Sequence, residues 1–215
     1  MTAVGDETCN LVNRELFFVK DVIGWSEAKF SEKFAIYDAV TRDLLVECRE
    51  PQLGILTKVA RIWGKQPMGR VGIDTMAPFN YVVRIPEDGP TLLRVTRGSS
   101  TLSVGGAPIR ILDSKDNLVC RTEKIWMCIG TKYAFLDAHE KLLFMVQINP
   151  AKGRAIFVSS GTEVGIVTSH WTGDHAGFFR ERFRHAIWIS PEVPEESVMR
   201  TVLFALGLSY YRALK

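Results

Sequence analysis

The chain has 215 residues, 47% of them hydrophobic and 24% charged, with a formal net charge of +3. Those proportions exclude a disordered tract and suit a single domain with a sizeable core. The charge excess is too small to name a partner, so any electrostatic argument must rest on local clusters.

Residues 1–13 are polar and read as a flexible leader. They lack the apolar segment of a secretory signal, and position 2 is Thr2, not the glycine that myristoylation requires. Cys9, Cys48, Cys120 and Cys128 form no CxxC pair and no zinc-ligand spacing. Reduced thiols in a cytoplasmic protein follow as the expectation.

From Leu16, LFFVKD opens a strand rich in β-branched and aromatic residues. A pattern then recurs. Phe34-Ala-Ile36-Tyr-Asp38 passes through polar residues to Leu44-Leu-Val46, Ile109-Arg-Ile111-Leu-Asp113 to Leu118-Val119, and Tyr133-Ala-Phe135-Leu-Asp137 to Leu142-Leu-Phe144. Each copy alternates apolar with other residues, turns on an aspartate, and resumes in apolar residues. Aspartate suits the turn because its carboxylate bonds the backbone two residues on. Further hairpins join Phe79–Ile85 to Leu92–Val95 and Arg154–Val158 to Val164–Thr168, and one more strand runs through His185–Ile189.

Two segments break the rhythm. Residues 51–64, PQLGILTKVARIWG, space Leu53, Leu56, Val59 and Trp63 as on a helix, with Lys58, Arg61 and Lys65 on a basic face. The second is VMRTVLFALGLSYYRAL at 198–214, preceded by Pro191 and Pro194. Glu195 and Glu196 would sit in its first turn and complement the helix dipole. It is apolar nearly all round, so it must be buried in protein or in lipid. Its uncharged run, Thr201 to Tyr211, covers roughly half of a ~30 Å hydrocarbon core. A plug wrapped by the strands is the better reading than a short tail anchor.

Turn-punctuated strands at this spacing suggest an up-and-down barrel or a sandwich. The expected fold is mainly β, with residues 14–215 as one closed antiparallel barrel of about twelve strands around a central helix at 195–214 and a short amphipathic helix at 51–64. A barrel of that strand number is too wide for its own side chains to fill, and the helix supplies the filling.

Candidate sites are few. His170, Asp174, His175 and His185 are close in sequence but lack metal-ligand spacing, so they read as loop and strand-end residues. No Gly-x-Ser-x-Gly elbow, paired cysteine nucleophile or phosphate loop is present, so no catalytic residue, metal or cofactor is assigned. The basic groups are the better lead. Arg180, Arg182 and Arg184 alternate and would project to one side of a loop or strand, while Lys58, Arg61 and Lys65 line the short helix. Basic residues beside aromatics suit anionic headgroups. Nucleic acid is not expected, since no recognition helix, zinc module or RNA-binding aromatic motif is present. Trp63, Trp126, Trp171 and Trp188 read as core or rim packing, and Trp25 as exposed.

The run Glu163-Val-Gly-Ile-Val-Thr-Ser-His170-Trp171-Thr172-Gly173 resembles the last hairpin of the phospholipid scramblase family. There, such a motif leads through a loop and one strand to a proline, here Pro191, and a hydrophobic helix. The repeated Asp-turn hairpins are similar to the wider tubby-like superfamily, including the plant LURP-one-related proteins, and YDAVTRDLLVECREP to bacterial scramblase-like members. The resemblance implies a barrel wound around its C-terminal helix and a peripheral, cytoplasmic lipid- or membrane-binding role. A soluble protein-interaction scaffold is the alternative. The acidic calcium segment of animal scramblases is replaced here by Phe178–His185, with three arginines and one acid, which would repel calcium. Their palmitoylated cysteine cluster and proline-rich arm have no counterpart.

Overall fold

Alternating apolar residues give a strand one buried face, and twelve such strands close here into a barrel. The computed structural model describes residues 13–21, 33–50, 79–98, 108–126, 131–149, 152–195 and 197–213. The strands are β1 (Leu16–Asp21), β2 (Lys33–Asp38), β3 (Leu44–Arg49), β4 (Phe79–Arg84), β5 (Thr91–Arg97) and β6 (Ile109–Asp113), followed by β7 (Leu118–Trp126), β8 (Thr131–Asp137), β9 (Leu142–Asn149), β10 (Arg154–Ser159), β11 (Thr162–Thr168) and β12 (His185–Ile189). Each pairs antiparallel with its sequence neighbours, and β1 pairs with β12 to close the ring. The expected barrel is present. The helix anticipated at 51–64, with Lys58, Arg61 and Lys65, lies outside the described residues.

Five hairpins, β2–β3, β4–β5, β6–β7, β8–β9 and β10–β11, turn at the same mouth of the barrel. In three of them the anticipated aspartate closes the turn. Asp113 Oδ1 accepts the N–H groups of Lys115 and Asn117 at 2.8 and 2.9 Å. Asp137 Oδ1 accepts those of His139 and Lys141 at 2.8 and 2.9 Å. Asp38 Oδ1 accepts those of Val40 and Thr41 and its carboxylate pairs with Arg14. One residue late in each of these turns, Arg42, Asp116 or Glu140, takes a φ of 63–69°.

All five hairpins share a further feature that strict alternation does not reveal. Their register slips by one residue just inside the turn, so that Leu45, Leu92, Val119, Leu143 and Val164 are each bulged out of the ladder. A bulge lets two consecutive residues lean to one face. That is why the turns are followed by apolar doublets: Leu45 and Val46, Leu92 and Leu93, and Leu143 and Phe144 are all buried.

Chain direction puts the end of β12 at this same mouth, and the helix α2 (Val198–Ala213) enters the barrel from there. Val202 to Leu206 and Leu208 are buried without interruption round the helix. Fully burying a side chain of this size stabilises by roughly 1.5–3 kcal/mol. Phe204 meets Phe17 of β1 edge-on at 5.0 Å, and Tyr210 meets Phe157 of β10 at 5.4 Å. Gly207 permits the closest approach to the wall, since a Cβ there would fall 2.4 Å from Ile187 Cδ1.

The helix begins later than its acidic residues suggest. The N–H of Ser197 bonds the carbonyl of Pro194, so Glu195 belongs to the preceding turn. The Ser197 hydroxyl accepts the Arg200 N–H at 3.3 Å as an N-cap, and no acidic residue occupies the first turn. Glu196 lies outside the described residues. No helix among the described residues is long and apolar enough to cross a membrane.

Candidate functional site

The β11–β12 connection, expected to be a loop, contains a second helix, α1 (Ala176–Arg182). It packs against the outer wall of the barrel. Phe18 on β1 points outward, and the rings of Phe179 and Phe183 lie 5.2 and 5.3 Å from it. Tyr37 of β2 meets Phe183 at 5.4 Å, and the Arg42 guanidinium covers Phe178 at 4.6 Å. Leu16, Ala39 and Ala186 complete this satellite cluster, with Trp171 and Trp188 packed on its margin. Both tryptophans therefore pack on the outer wall. Trp25 and Trp63 lie outside the described residues, as does the side chain of Trp126.

The helix corrects one expectation. Arg180, Arg182 and Arg184 do not alternate along an extended strand, because Arg180 and Arg182 belong to α1 and are about 200° apart round its axis. Arg180 is exposed on the helix, and Arg184 is exposed beyond it. The motif before the helix is a local structure. The Trp171 indole N–H donates to the Asp174 carbonyl at 2.7 Å, and its ring lies so close over Gly173 that a Cβ there would fall 2.7 Å away. His170 and Thr172 are exposed, His170 N–H donating to Thr168 Oγ1 at 3.1 Å, and Pro191 is exposed in the turn after β12. His185, by contrast, is buried.

Register brings Arg184 beside basic residues that sequence spacing does not connect. The Arg184 N–H donates to the Val19 carbonyl at 3.0 Å, which sets it next to Lys20 on β1. Lys20 stands opposite Ala35 of β2, and Lys33 lies two residues nearer the mouth, opposite Arg49 of β3. Arg184, Lys20 and Lys33 thus form a basic edge across three neighbouring strand ends, at the mouth opposite the five hairpins. Lys33 is half-buried, and Arg49 extends the edge while pairing with Glu47 at 2.6 Å and Asp88 at 3.7 Å. The segment holding Lys58, Arg61 and Lys65 follows β3 in sequence and lies outside the described residues.

Among the described residues, two cysteines are buried in the wall. Burial pushes the Cys48 thiol well up, with Glu47 adding to it, and burial with Asp137 pushes Cys120 to about 12. Both are thiols at neutral pH and poor nucleophiles. Among the described residues, no group of three or more His, Cys, Asp or Glu side chains is placed to hold a metal ion.

No family model, curated protein or solved structure matches the chain.

Proposed function

We propose that this protein binds anionic phospholipid surfaces peripherally, as a scramblase-like, tubby-like barrel without catalytic chemistry. The observation that carries the reading is the basic edge of Arg184, Lys20 and Lys33, beside the aromatic-bearing connection that holds Arg180. Each near-surface cation contributes about 1 kcal/mol toward an anionic leaflet, and partly exposed aromatic rings suit the headgroup region. Such a surface acts by adhesion and needs no reacting group. The helix α2 stays in the barrel as filling and takes no part in the contact.

Co-sedimentation with phosphatidylserine-containing and pure phosphatidylcholine vesicles tests this. Binding should require the anionic lipid, weaken as salt screens it, and fall in a Lys20→Glu/Arg184→Glu variant that melts like the parent chain. Equal binding to both vesicle types, or none to either, would overturn the reading.

A further inference from the structure

The outer face of an antiparallel barrel in water should be polar, and much of this one is: Arg94 and Thr96 on β5, Arg110 on β6, Arg121 and Glu123 on β7. The face of β8 to β11 is different. Outward positions there carry Leu136, Leu142, Met145, Ile156, Val158 and Ile166, with Gln147 opposite Ile156 and Arg154 and Glu163 at the margins.

Register makes these residues neighbours. Leu136 stands opposite Leu142, Met145 opposite Val158, and Ile156 opposite Ile166. The last row continues through Trp188 to Leu16, where the band passes under α1. The covered part of the band is buried, with Leu16 at 8% and Phe18 at 0% exposure. The part on β8 to β11 stays half-buried, and Leu142 is exposed.

We infer that this face is where a second copy of the chain packs, sheet against sheet, in a two-fold dimer. Three observations favour that occupant. The band is continuous with the surface that α1 already covers, so the same apolar chemistry is half-satisfied within one chain. The described strands close into a barrel with no free edge among them, so one such wall engages another through its face. The charges are self-complementary. Arg154 and Glu163 are paired at 3.3 Å and flank the Ile156–Ile166 row on opposite sides along the strand direction. A two-fold axis lying in the interface and running across the strands sets Arg154 of each copy over Glu163 of the other, as an isologous contact requires.

Sedimentation velocity of the full chain across a concentration range should show a monomer–dimer equilibrium. Arg154→Glu and Glu163→Arg should each weaken it at least about tenfold by setting like charges face to face. Mixing the two variants should restore association, now as a heterodimer of the two masses in native mass spectrometry. Met145→Glu should abolish the dimer with the melting curve of the barrel retained. A parent chain that stays monomeric overturns the inference and leaves the face to lipid or to another protein. Dimers indifferent to these substitutions, or variants that fail to associate on mixing, also overturn it.

Discussion

The guanidinium of Arg200 donates to the carbonyl of Arg14, 186 positions earlier in the chain, at 3.3 Å, and to that of Val193 at 2.6 Å. Arg14 in turn pairs with Asp38, the residue that closes the first hairpin turn. The start of the first strand, the first hairpin and the first turn of the central helix are thereby tied at one mouth. Burial pulls the Arg200 pKa down, while Glu195 and Glu15 push it up. A buried cation at the N-terminal end of a helix opposes the dipole. Its bonds to two backbone carbonyls, together with the attraction of Glu195 and Glu15, offset that cost.

Arg200→Met should accordingly destabilise the fold by about 2–4 kcal/mol, because two carbonyls lose a charged donor. Arg200→Lys should recover part of this, since an ammonium reaches the same carbonyls without the fork. Urea unfolding of the three proteins measures it.

Gly207 and Ile187 give a second test. Gly207→Ala puts a methyl within 2.4–2.9 Å of three Ile187 side-chain carbons, and should cost about 1–3 kcal/mol despite the better helix propensity of alanine. Ile187→Ala alone should cost about 2–5 kcal/mol. The double substitution should cost less than the sum, because the new methyl occupies space the isoleucine vacates. Additive effects would mean that the helix does not touch β12 there.

Acid should loosen the hairpin turns. Hydrogen bonds from the Lys141 and His139 N–H groups hold the Asp137 carboxyl below its ordinary value, against some desolvation. Burial pushes Asp113 up, but bonds from Asn117 and Lys115 outweigh it and leave it low as well. A depressed carboxylate contributes stability in full above its unfolded pKa, near 4, and loses it as pH falls through the folded value. Removing both groups as Asp113→Asn/Asp137→Asn should flatten the fall of stability below about pH 4. Thermal melts at stepped pH would show it, and an unchanged slope would count against these turns as acid-labile points.

Glu140 adopts a φ of 64°, a left-handed conformation unfavourable for a glutamate. Its bond to Arg121 is exposed and adds little. Glu140→Gly should raise stability by about 0.5–1 kcal/mol, the relief of strain exceeding the entropy cost of glycine. Chemical denaturation gives the sign.

The strands and the plug were legible because burial imposes a period of two on a wall residue and none on a helix buried all round. The Asp turns were legible because a carboxylate bonding its own backbone needs no distant partner. The bulges left only a faint trace, the apolar doublets Leu45-Val46, Leu92-Leu93 and Leu143-Phe144, which strict alternation reads as noise. The short helix α1 escaped for a local reason. Its N-cap is His175 at φ 60° with no side-chain cap bond, and its first turn holds a glycine and no acid, so the usual start signals are missing. The basic edge escaped for a global one. Lys20, Lys33 and Arg184 are neighbours only through the pairing of β12, β1 and β2, and that pairing joins the two ends of the barrel sequence.

The central helix follows all twelve strands in the chain, so the ribosome makes the wall before its filling. Until α2 has emerged, the inward rings of Phe17, Phe157 and their neighbours have no partner at the axis, and the seam between β1 and β12 would close on an empty bore. At about 5–20 residues per second the helix takes only a second or a few to synthesise, yet the whole barrel waits on it. A nascent chain halted before Val198 should therefore be a client of chaperones, and its release the event that lets the barrel form.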